Sequence, residues 1–115
     1  MNDYVIDASV AVKWVVEEVG SRQALRLRGH QLAAPDLLIA ECANIIWKKC
    51  RLGELTDPEA TVAIRLLTRA EIELFPLAEA ATQPFVTADA RLLRKLRTEN
   101  WQERLGVVDL ATFDP

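Results

Sequence analysis

The sequence predicts an α/β fold built on a short, mostly parallel sheet. Short apolar runs that are typical of buried strands alternate with longer segments in which apolar residues recur at helical spacing. Strands that alternate with helices along a chain favour a parallel sheet covered by those helices. The chain has 115 residues, of which 50% are hydrophobic and 27% are charged. We therefore expect one domain, residues 1–115, whose core needs neither disulfides nor a structural metal.

Each predicted element follows from a local pattern. Ser9 is placed to cap the first helix, and Ser21 to cap a second one that ends at Gly29. The predicted strands, each a short apolar or alternating run, cover residues 4–6, 32–34, 71–77, 85–87 and 107–108. The predicted helices cover about 10–16, 21–29, 36–51, 56–70 and 89–97.

The third and fourth helices have the clearest end signals. Pro35 fits the start of the third helix, and Gly53 lies where a left-handed residue commonly ends one. Thr56 and Glu59 have the spacing of a capping box, which predicts that the fourth helix begins there. These two helices are expected to connect strands of the same sheet.

Charge and apolar run lengths exclude several classes of protein. Lys and Arg number 14 against 17 Asp and Glu, which gives a formal net charge of −3. A contact with nucleic acid would therefore need a local basic patch or a metal ion that offsets phosphate repulsion. The sequence has no apolar run long enough for a membrane span and no basic leader, so we expect a cytoplasmic protein. Cys42 and Cys50 are about 12 Å apart on a helix, too far to form a disulfide.

Two acidic residues follow predicted strands. Asp7 ends the strand 4–6 and Asp89 follows the strand 85–87. In an open parallel sheet the binding crevice lies at the carboxyl ends of the strands, and neighbouring strands are about 4.8 Å apart, so both carboxylates could share one cation. Both residues could instead merely cap the helices that follow. The hydroxyl neighbours Ser9 and Thr87 favour a site.

Glu41 is a third candidate for a different reason. It shares a helix face with Asn44 in a segment that is otherwise apolar and is predicted to be largely buried. A buried carboxylate is costly unless it is paired or binds a metal. The sequence leaves open whether Glu41 pairs with an arginine or contributes to a metal or water site.

The candidate ligands indicate the type of cation. Asp and Glu without clustered His or Cys suit Mg²⁺ or Mn²⁺, which carboxylates, waters and substrate phosphate hold together. Hydrolysis of a phosphodiester is the reaction that such an ion serves best. No Walker or dinucleotide-binding glycine motif is present, and His30 is predicted to lie at the surface in a turn.

Four segments together resemble a PIN domain, and in particular the VapC-type toxins of bacterial toxin–antitoxin pairs. They are residues 5–14 (VIDASVAVKW), 34–44 (APDLLIAECAN), 74–78 (LFPLA) and 86–93 (VTADARLL). The resemblance covers nearly the whole chain in the right order. It implies a three-layer α/β/α fold, Mg²⁺ or Mn²⁺ bound by Asp7, Glu41 and Asp89, and cleavage of RNA. It also implies a homodimer and a cognate antitoxin that inhibits the toxin.

One segment departs from the family. The family has a helical pair between the strands here predicted at 71–77 and 85–87, and the second helix of that pair carries a further acidic residue. Only residues 79–84 stand there in this chain, too few for two helices. We expect a shortened domain that lacks this pair and its ligand, with Glu79 or Asp109 as possible replacements. Weaker metal binding and an uncovered sheet face that favours a homodimer or higher oligomer would follow.

Basic and aromatic residues give weaker indications. Two basic groups flank the carboxylates and could contact phosphates, although an ordinary solvated helix face is an equally good explanation. The residues are Lys48, Lys49, Arg51, Arg91, Arg94, Lys95 and Arg97. The three tryptophans at 14, 47 and 101 are expected in the core rather than stacked on bases. The residues expected to contact substrate are Ser9, Asn44, Thr87 and Arg91.

The sequence therefore predicts a Mg²⁺- or Mn²⁺-dependent endoribonuclease, the toxin of a toxin–antitoxin pair. One alternative is a catalytically impaired PIN-fold module that binds an antitoxin or itself. Another is a metal-dependent hydrolase of small phosphate esters.

Overall fold

A computed structural model, which describes residues 3–75, 85–89, 94 and 107–112, contains a five-stranded parallel sheet with helices packed on it. The elements are β1 (Tyr4–Ile6), α1 (Ala8–Val15), α2 (Ser21–Arg26), a 3₁₀ turn (Leu27–Gly29), β2 (Leu32–Pro35), α3 (Leu38–Arg51), α4 (Asp57–Thr68), β3 (Ile72–Phe75), β4 (Phe85–Thr87), β5 (Val107–Asp109) and a second 3₁₀ turn (Leu110–Thr112). The strand order is β3-β2-β1-β4-β5, and every neighbouring pair is parallel. The predicted fold class is confirmed.

Both faces of the central strands are covered. Successive side chains of a strand point to opposite faces, and both Val5 and Ile6 of β1 are buried. Leu32, Ala33 and Ala34 of β2 are buried in the same way. Ile6, Leu32 and Ala34 belong to the main core with apolar residues of α1, α3 and α4, whereas Val5 and Ala33 are buried outside it. Burial on both sides is what a three-layer α/β/α arrangement requires.

The start of α1 differs from the prediction. The N-cap is Asp7 rather than Ser9, and its carboxylate accepts a hydrogen bond from the Val10 amide. The helix therefore begins directly after β1, with Ser9 inside its first turn. This shift leaves the Ser9 hydroxyl available for contacts with β4.

Gly20, rather than Ser21, is the N-cap of α2. Gly20 has a φ of 91°, in the left-handed region that glycine tolerates best. Ser21 is buried, and its hydroxyl donates to the Val16 carbonyl and accepts from the Glu18 amide, so it ties the loop between α1 and α2 together. The predicted end of this helical segment at Gly29 is confirmed.

The third helix begins later than predicted, at Leu38 rather than near residue 36. Pro35 is the last residue of β2, and the Asp36 amide donates to the Phe75 carbonyl, which extends the pairing of β2 with β3. The capping box of α4 is confirmed, because the Thr56 hydroxyl accepts from the Glu59 amide and the Glu59 carboxylate accepts from the Thr56 amide.

The prediction that α3 is largely buried around Glu41 is wrong. Only Leu38, Cys42 and Ile46 of this helix are buried, a single stripe at intervals of four residues. Glu41 and Asn44 lie on the exposed face, because α3 packs against its neighbours on one side only.

The described tryptophans differ in their burial. Trp14 is half-buried, and its indole donates to the Ala24 carbonyl at 2.7 Å. The prediction that Trp47 packs in the core is wrong, since this residue is 60% exposed. Cys42 and Cys50 are both free thiols, as their spacing predicted.

Several predictions fall outside the described residues. They are the strand beyond residue 75, the missing helical pair before residue 85, most of the helix 89–97, and the positions of Glu79, Arg91 and Trp101. Arg94 is helical and exposed. None of the helices in the described ranges is both long enough and apolar enough to cross a membrane.

Candidate functional site

The candidate site lies at the carboxyl ends of β1 and β4. These strands are parallel neighbours, with Val5 opposite Phe85 and Ile6 opposite Val86. Asp7 follows Ile6 directly, and Thr87 follows Val86 directly. The parallel register thus brings together two side chains that are 80 residues apart in the chain.

Hydroxyl groups hold the Asp7 carboxylate. Ser9 Oγ donates to Asp7 Oδ1, and Thr87 Oγ1 donates to Asp7 Oδ2 at 2.5 Å. Ser9 Oγ also accepts from the Ala88 amide at 2.9 Å, and Thr87 Oγ1 accepts from the Asp89 amide at 3.0 Å. The two hydroxyls lie 3.3 Å from each other. Asp7 is therefore oriented by a network that joins the start of α1 to the end of β4.

Burial governs the electrostatics of Asp7. Loss of solvent raises the pKa of its carboxyl above the usual 3.8, although hydrogen bonds from Ser9, Thr87 and Val10 act in the opposite direction. The donors are neutral hydroxyls and amides. Among the described residues no lysine or arginine forms an ion pair with Asp7.

Glu41 lies near enough to Asp7 for the two charges to interact. Partial burial raises the pKa of Glu41 above its usual 4.5, and the negative charge of Asp7 raises it further. The Cys42 thiol beside it is affected too: burial, followed by Glu41 and Asp7, raises its pKa to about 12. The alternative in which an arginine pairs with Glu41 is not realised within the part of the chain that the structure describes.

Asp89 lies beyond the end of β4 and is exposed. Its backbone is fixed by the bond to Thr87, which places the residue at the same sheet edge as Asp7. Within the described ranges, no three side chains of His, Cys, Asp or Glu converge closely enough to hold a metal ion. Asp7 and Glu41 are thus electrostatically coupled, and Asp89 is near the same edge without completing such a group.

The other residues predicted for the site are Asp109, Asn44, Arg91 and Glu79. Asp109 ends β5 in register with Thr87, and its carboxylate accepts from the Ala111 amide at 3.0 Å, so it caps the turn that follows. Asn44 is exposed one turn after Glu41 on α3. Arg91 and Glu79 lie outside the described residues.

The roles of Ser9 and Thr87 were only partly predictable. That both contact substrate stays a prediction, and the structure shows that both hydroxyls bond to Asp7. The serine two residues after the strand-end aspartate was the available signal, since a side chain at the start of a helix can reach the cap residue. The partner Thr87 depends on the strand order, which local sequence does not specify.

The basic residues at the end of α3 also have separate roles. Lys49 forms ion pairs with Glu18 at 2.7 Å and with Glu54 at 3.7 Å. The guanidinium of Arg51 lies 4.8 Å from the centre of the Trp47 ring. Lys48 is exposed.

Comparison with known proteins supports the fold alone. No protein-family model matches the chain. No curated protein is detectably similar in sequence. The chain is similar to the crystal structure of PAE2754 from Pyrobaculum aerophilum, with a TM-score of 0.62 and 21% sequence identity over 96% of this chain and 85% of that one. At this identity the likeness concerns the arrangement of strands and helices, not a shared activity.

Proposed function

We propose that this chain is a Mg²⁺- or Mn²⁺-dependent endoribonuclease of the PIN-domain type, with Asp7, Glu41 and Asp89 as its acidic residues. The observation that carries the proposal is the coupled pair Asp7 and Glu41. Each carboxyl has a raised pKa, and neither forms an ion pair with a basic side chain in the described part of the chain. A divalent cation between two such carboxylates would remove their repulsion.

The donor set fits a hard cation. Asp7, Glu41 and Asp89 offer carboxylate oxygens only, and the nearby Cys42 thiol stays protonated because its pKa is about 12. Oxygen ligands with several retained waters are what Mg²⁺ and Mn²⁺ prefer. Such an ion would supply an activated water and would offset the charge of the phosphodiester.

Protein side chains would orient the Asp7 carboxylate and keep Glu41 accessible to substrate. Ser9 and Thr87 fix the direction of the Asp7 carboxylate, which limits the number of orientations that must be ordered when substrate binds. Glu41 lies on an exposed helix face, so a phosphodiester can approach it from solvent. Asp89 is assigned to the same group because its backbone amide bonds to Thr87 Oγ1 at the same edge of the sheet.

The proposed partners follow from the same assignment. A toxin of this type would have RNA as substrate and an antitoxin as inhibitor, and would form a homodimer or a higher oligomer. Large apolar side chains are exposed on several elements and would favour association. They include Leu37, Leu52, Val62, Leu66 and Leu74. Both cysteines are free, which suits a proposed location in the reducing cytoplasm.

A second candidate is a PIN-fold binding module without nuclease activity. It is favoured by one observation: no three metal-ligand side chains converge among residues 3–75, 85–89, 94 and 107–112. Such a module would still capture an antitoxin or a second copy. The two candidates differ in whether Mn²⁺ binding leads to RNA cleavage.

Calorimetry with Mn²⁺ followed by an RNA cleavage assay separates them. Wild type should bind the ion and cleave RNA, and Asp7→Asn and Glu41→Gln should bind more weakly and lose cleavage. Glu71→Gln is the matched control, because Glu71 is exposed just before β3, at the opposite edge of the sheet. Cleavage that survives Asp7→Asn would falsify the assignment. Metal binding without cleavage of any RNA would favour the binding module, and cleavage of a small phosphodiester alone would favour the phosphoesterase.

A further inference from the structure

The exposed face of α3 continues beyond Glu41 as a polar stripe. Glu41, Asn44, Lys48 and Arg51 are separated by three, four and three residues, so they lie above one another along one side of the helix. All four are exposed. With a rise of about 1.5 Å per residue the stripe extends roughly 15 Å from the carboxylate pair.

From this arrangement we propose that the α3 stripe binds single-stranded RNA next to the carboxylates, with Trp47 stacking on a base. The inference rests on the proposed function, because it assigns a binding surface to the same substrate. Its own support is the aromatic and basic character of the C-terminal half of α3.

Trp47 has the surroundings of a stacking residue rather than of a core residue. Its side chain is 60% exposed, and the Arg51 guanidinium lies over its ring at 4.8 Å. A hollow of about 380 Å³ adjoins the ring between α3 and α4, with Cys50, Thr61 and Ile64 in its lining. Bases stack on exposed aromatic rings with little sequence preference, and arginine strengthens such contacts.

The charges on this face match phosphate groups. Neither Lys48 nor Arg51 has a carboxylate within ion-pair distance in the described part of the chain. The adjacent Lys49 differs, because Glu18 and Glu54 neutralise it. Asp57 is the acidic side chain in the lining of the hollow. A chain with net charge −3 needs such a local basic patch to approach RNA.

RNA fits this face better than a protein partner does. A buried protein interface has an apolar centre. Here the apolar lining of the hollow lies beside an exposed indole and beside Lys48 and Arg51, which form no ion pair among the described residues, next to acids proposed to act on a phosphodiester. The continuity from Glu41 to Arg51 lets one strand contact the carboxylates and the tryptophan at the same time.

Binding of a fluorescent single-stranded oligoribonucleotide tests the inference. Anisotropy is measured with EDTA and again with Ca²⁺, so that cleavage does not interfere. Trp47→Ala should weaken binding about tenfold, the order expected for one lost stack, and Trp47→Phe should weaken it less. Lys48→Gln combined with Arg51→Gln should flatten the dependence of log K on log salt by about 1.4, roughly 0.7 for each cation removed, whereas Arg22→Gln on α2 should not.

Circular dichroism confirms that each variant is folded, and light scattering records its size. The inference is overturned if wild type binds RNA in neither condition, or if Trp47→Ala binds and cleaves as wild type does, an outcome that leaves the proposed nuclease standing. It is also overturned if Trp47→Ala alters only the oligomeric state, which would assign this face to a second copy. Trp47-dependent binding without cleavage in any metal would support the surface and remove the nuclease.

Discussion

Thr87 Oγ1 donates a hydrogen bond of 2.5 Å to Asp7 Oδ2 across two neighbouring parallel strands. Thr87 is fully buried, and the same hydroxyl accepts from the Asp89 amide. One side chain therefore connects Asp7 and Asp89, two of the three residues proposed to bind the metal. The orientation of Asp7 therefore depends on residues from both halves of the chain. A substitution at Thr87 should therefore change both the free energy of unfolding and the orientation of the Asp7 carboxylate.

Thr87→Val should lower the free energy of unfolding by about 2 kcal/mol near neutral pH. Valine keeps the shape of threonine but removes a donor to a carboxylate, and such bonds contribute about 1.5–3 kcal/mol. Urea denaturation measures the loss. Thr61→Val is the control, since the Thr61 hydroxyl is exposed and donates only to the Asp57 carbonyl. Equal losses in the two variants would show that the bond to Asp7 does not contribute specially.

The raised pKa of Asp7 predicts a pH dependence of stability with a definite sign. The folded pKa of Asp7 is above the ordinary 3.8, so between these two values the folded state keeps a proton that the unfolded state has lost. The contribution of Asp7 to the free energy of unfolding therefore falls as pH rises from 3.8 through the raised folded pKa.

Asp7→Asn isolates this contribution, because asparagine caps a helix about as well as aspartate and does not ionise. The stability of wild type relative to the variant should fall as pH rises from 3.8 through the raised folded pKa of Asp7. Urea denaturation at several pH values gives the difference curve, with Asp57→Asn at an exposed position for comparison. A wild-type advantage that grows with pH would contradict the prediction.

Metal binding should depend on pH for the same reason. A ligand carboxyl must lose its proton before it binds a cation, and both Asp7 and Glu41 hold their protons more tightly than usual. We expect Mn²⁺ affinity to begin falling, as pH is lowered, at a higher pH than for ordinary carboxylates. The fall should approach tenfold per pH unit for each proton displaced. Calorimetry in two buffers of different ionisation enthalpy counts these protons. Glu41→Gln should reduce the count, and an unchanged count would exclude Glu41 as a ligand.

A separate ion-pair group stabilises the side of the molecule where α1 and α3 meet. Burial alone would raise the pKa of Glu18, but hydrogen bonds from Lys49 and Lys13 outweigh it and lower the pKa below 4.5. The bonds are 2.7 Å and 3.1 Å long, and all three side chains are at least three-quarters buried. The stabilisation is therefore fully present above 4.5 and is lost as pH falls through the lowered folded pKa.

Glu18→Gln should lower the free energy of unfolding by about 1 kcal/mol at neutral pH, a value that allows for solvent screening. The difference from wild type should shrink in acid, where Glu18 is protonated. Urea denaturation at both pH values measures it. Glu17→Gln provides the control one residue away, because Glu17 is exposed. A loss that persists unchanged in acid would show that the side chain acts through packing instead of charge.

Local signals in the sequence accounted for most elements but not for the precise environment of the site. The capping box at Thr56 and the helix end at Gly53 depend on residues within one turn, and both were predictable. The sequence predicts Ser9 as the cap of α1, but Asp7 is the residue directly before the helix and takes the cap position. Asp7 and Ser9 are two residues apart, and the choice between them depends on where β1 ends. Because β1 ends at Ile6, Asp7 takes the cap position.

Glu41 shows why burial was harder to predict. Residues 37–47 are apolar or small except at Glu41 and Asn44, yet α3 packs along one stripe and leaves Trp47 and Leu37 exposed. Periodicity indicates a helix without stating how many of its faces meet other elements. The proximity of Asp7 to Thr87 was inferable only by assuming that β1 and β4 are neighbours, which is a property of the whole sheet.

Gly20 provides a final prediction about the loop before α2. Its φ is 91°, and a Cβ there would lie 3.2 Å from the Cδ and Cε atoms of Lys13, which holds Glu18. Gly20→Ala should therefore lower the free energy of unfolding by about 1–2 kcal/mol, through backbone strain and displacement of Lys13. Gly53→Ala, with a φ of 76° but open space around it, should show the strain alone, about 1 kcal/mol. Gly29→Ala has neither feature and should change stability by less than about 0.5 kcal/mol. Thermal and urea unfolding of the three variants give the order, and a Gly20→Ala protein as stable as Gly29→Ala would show that the loop relaxes without disturbing Lys13.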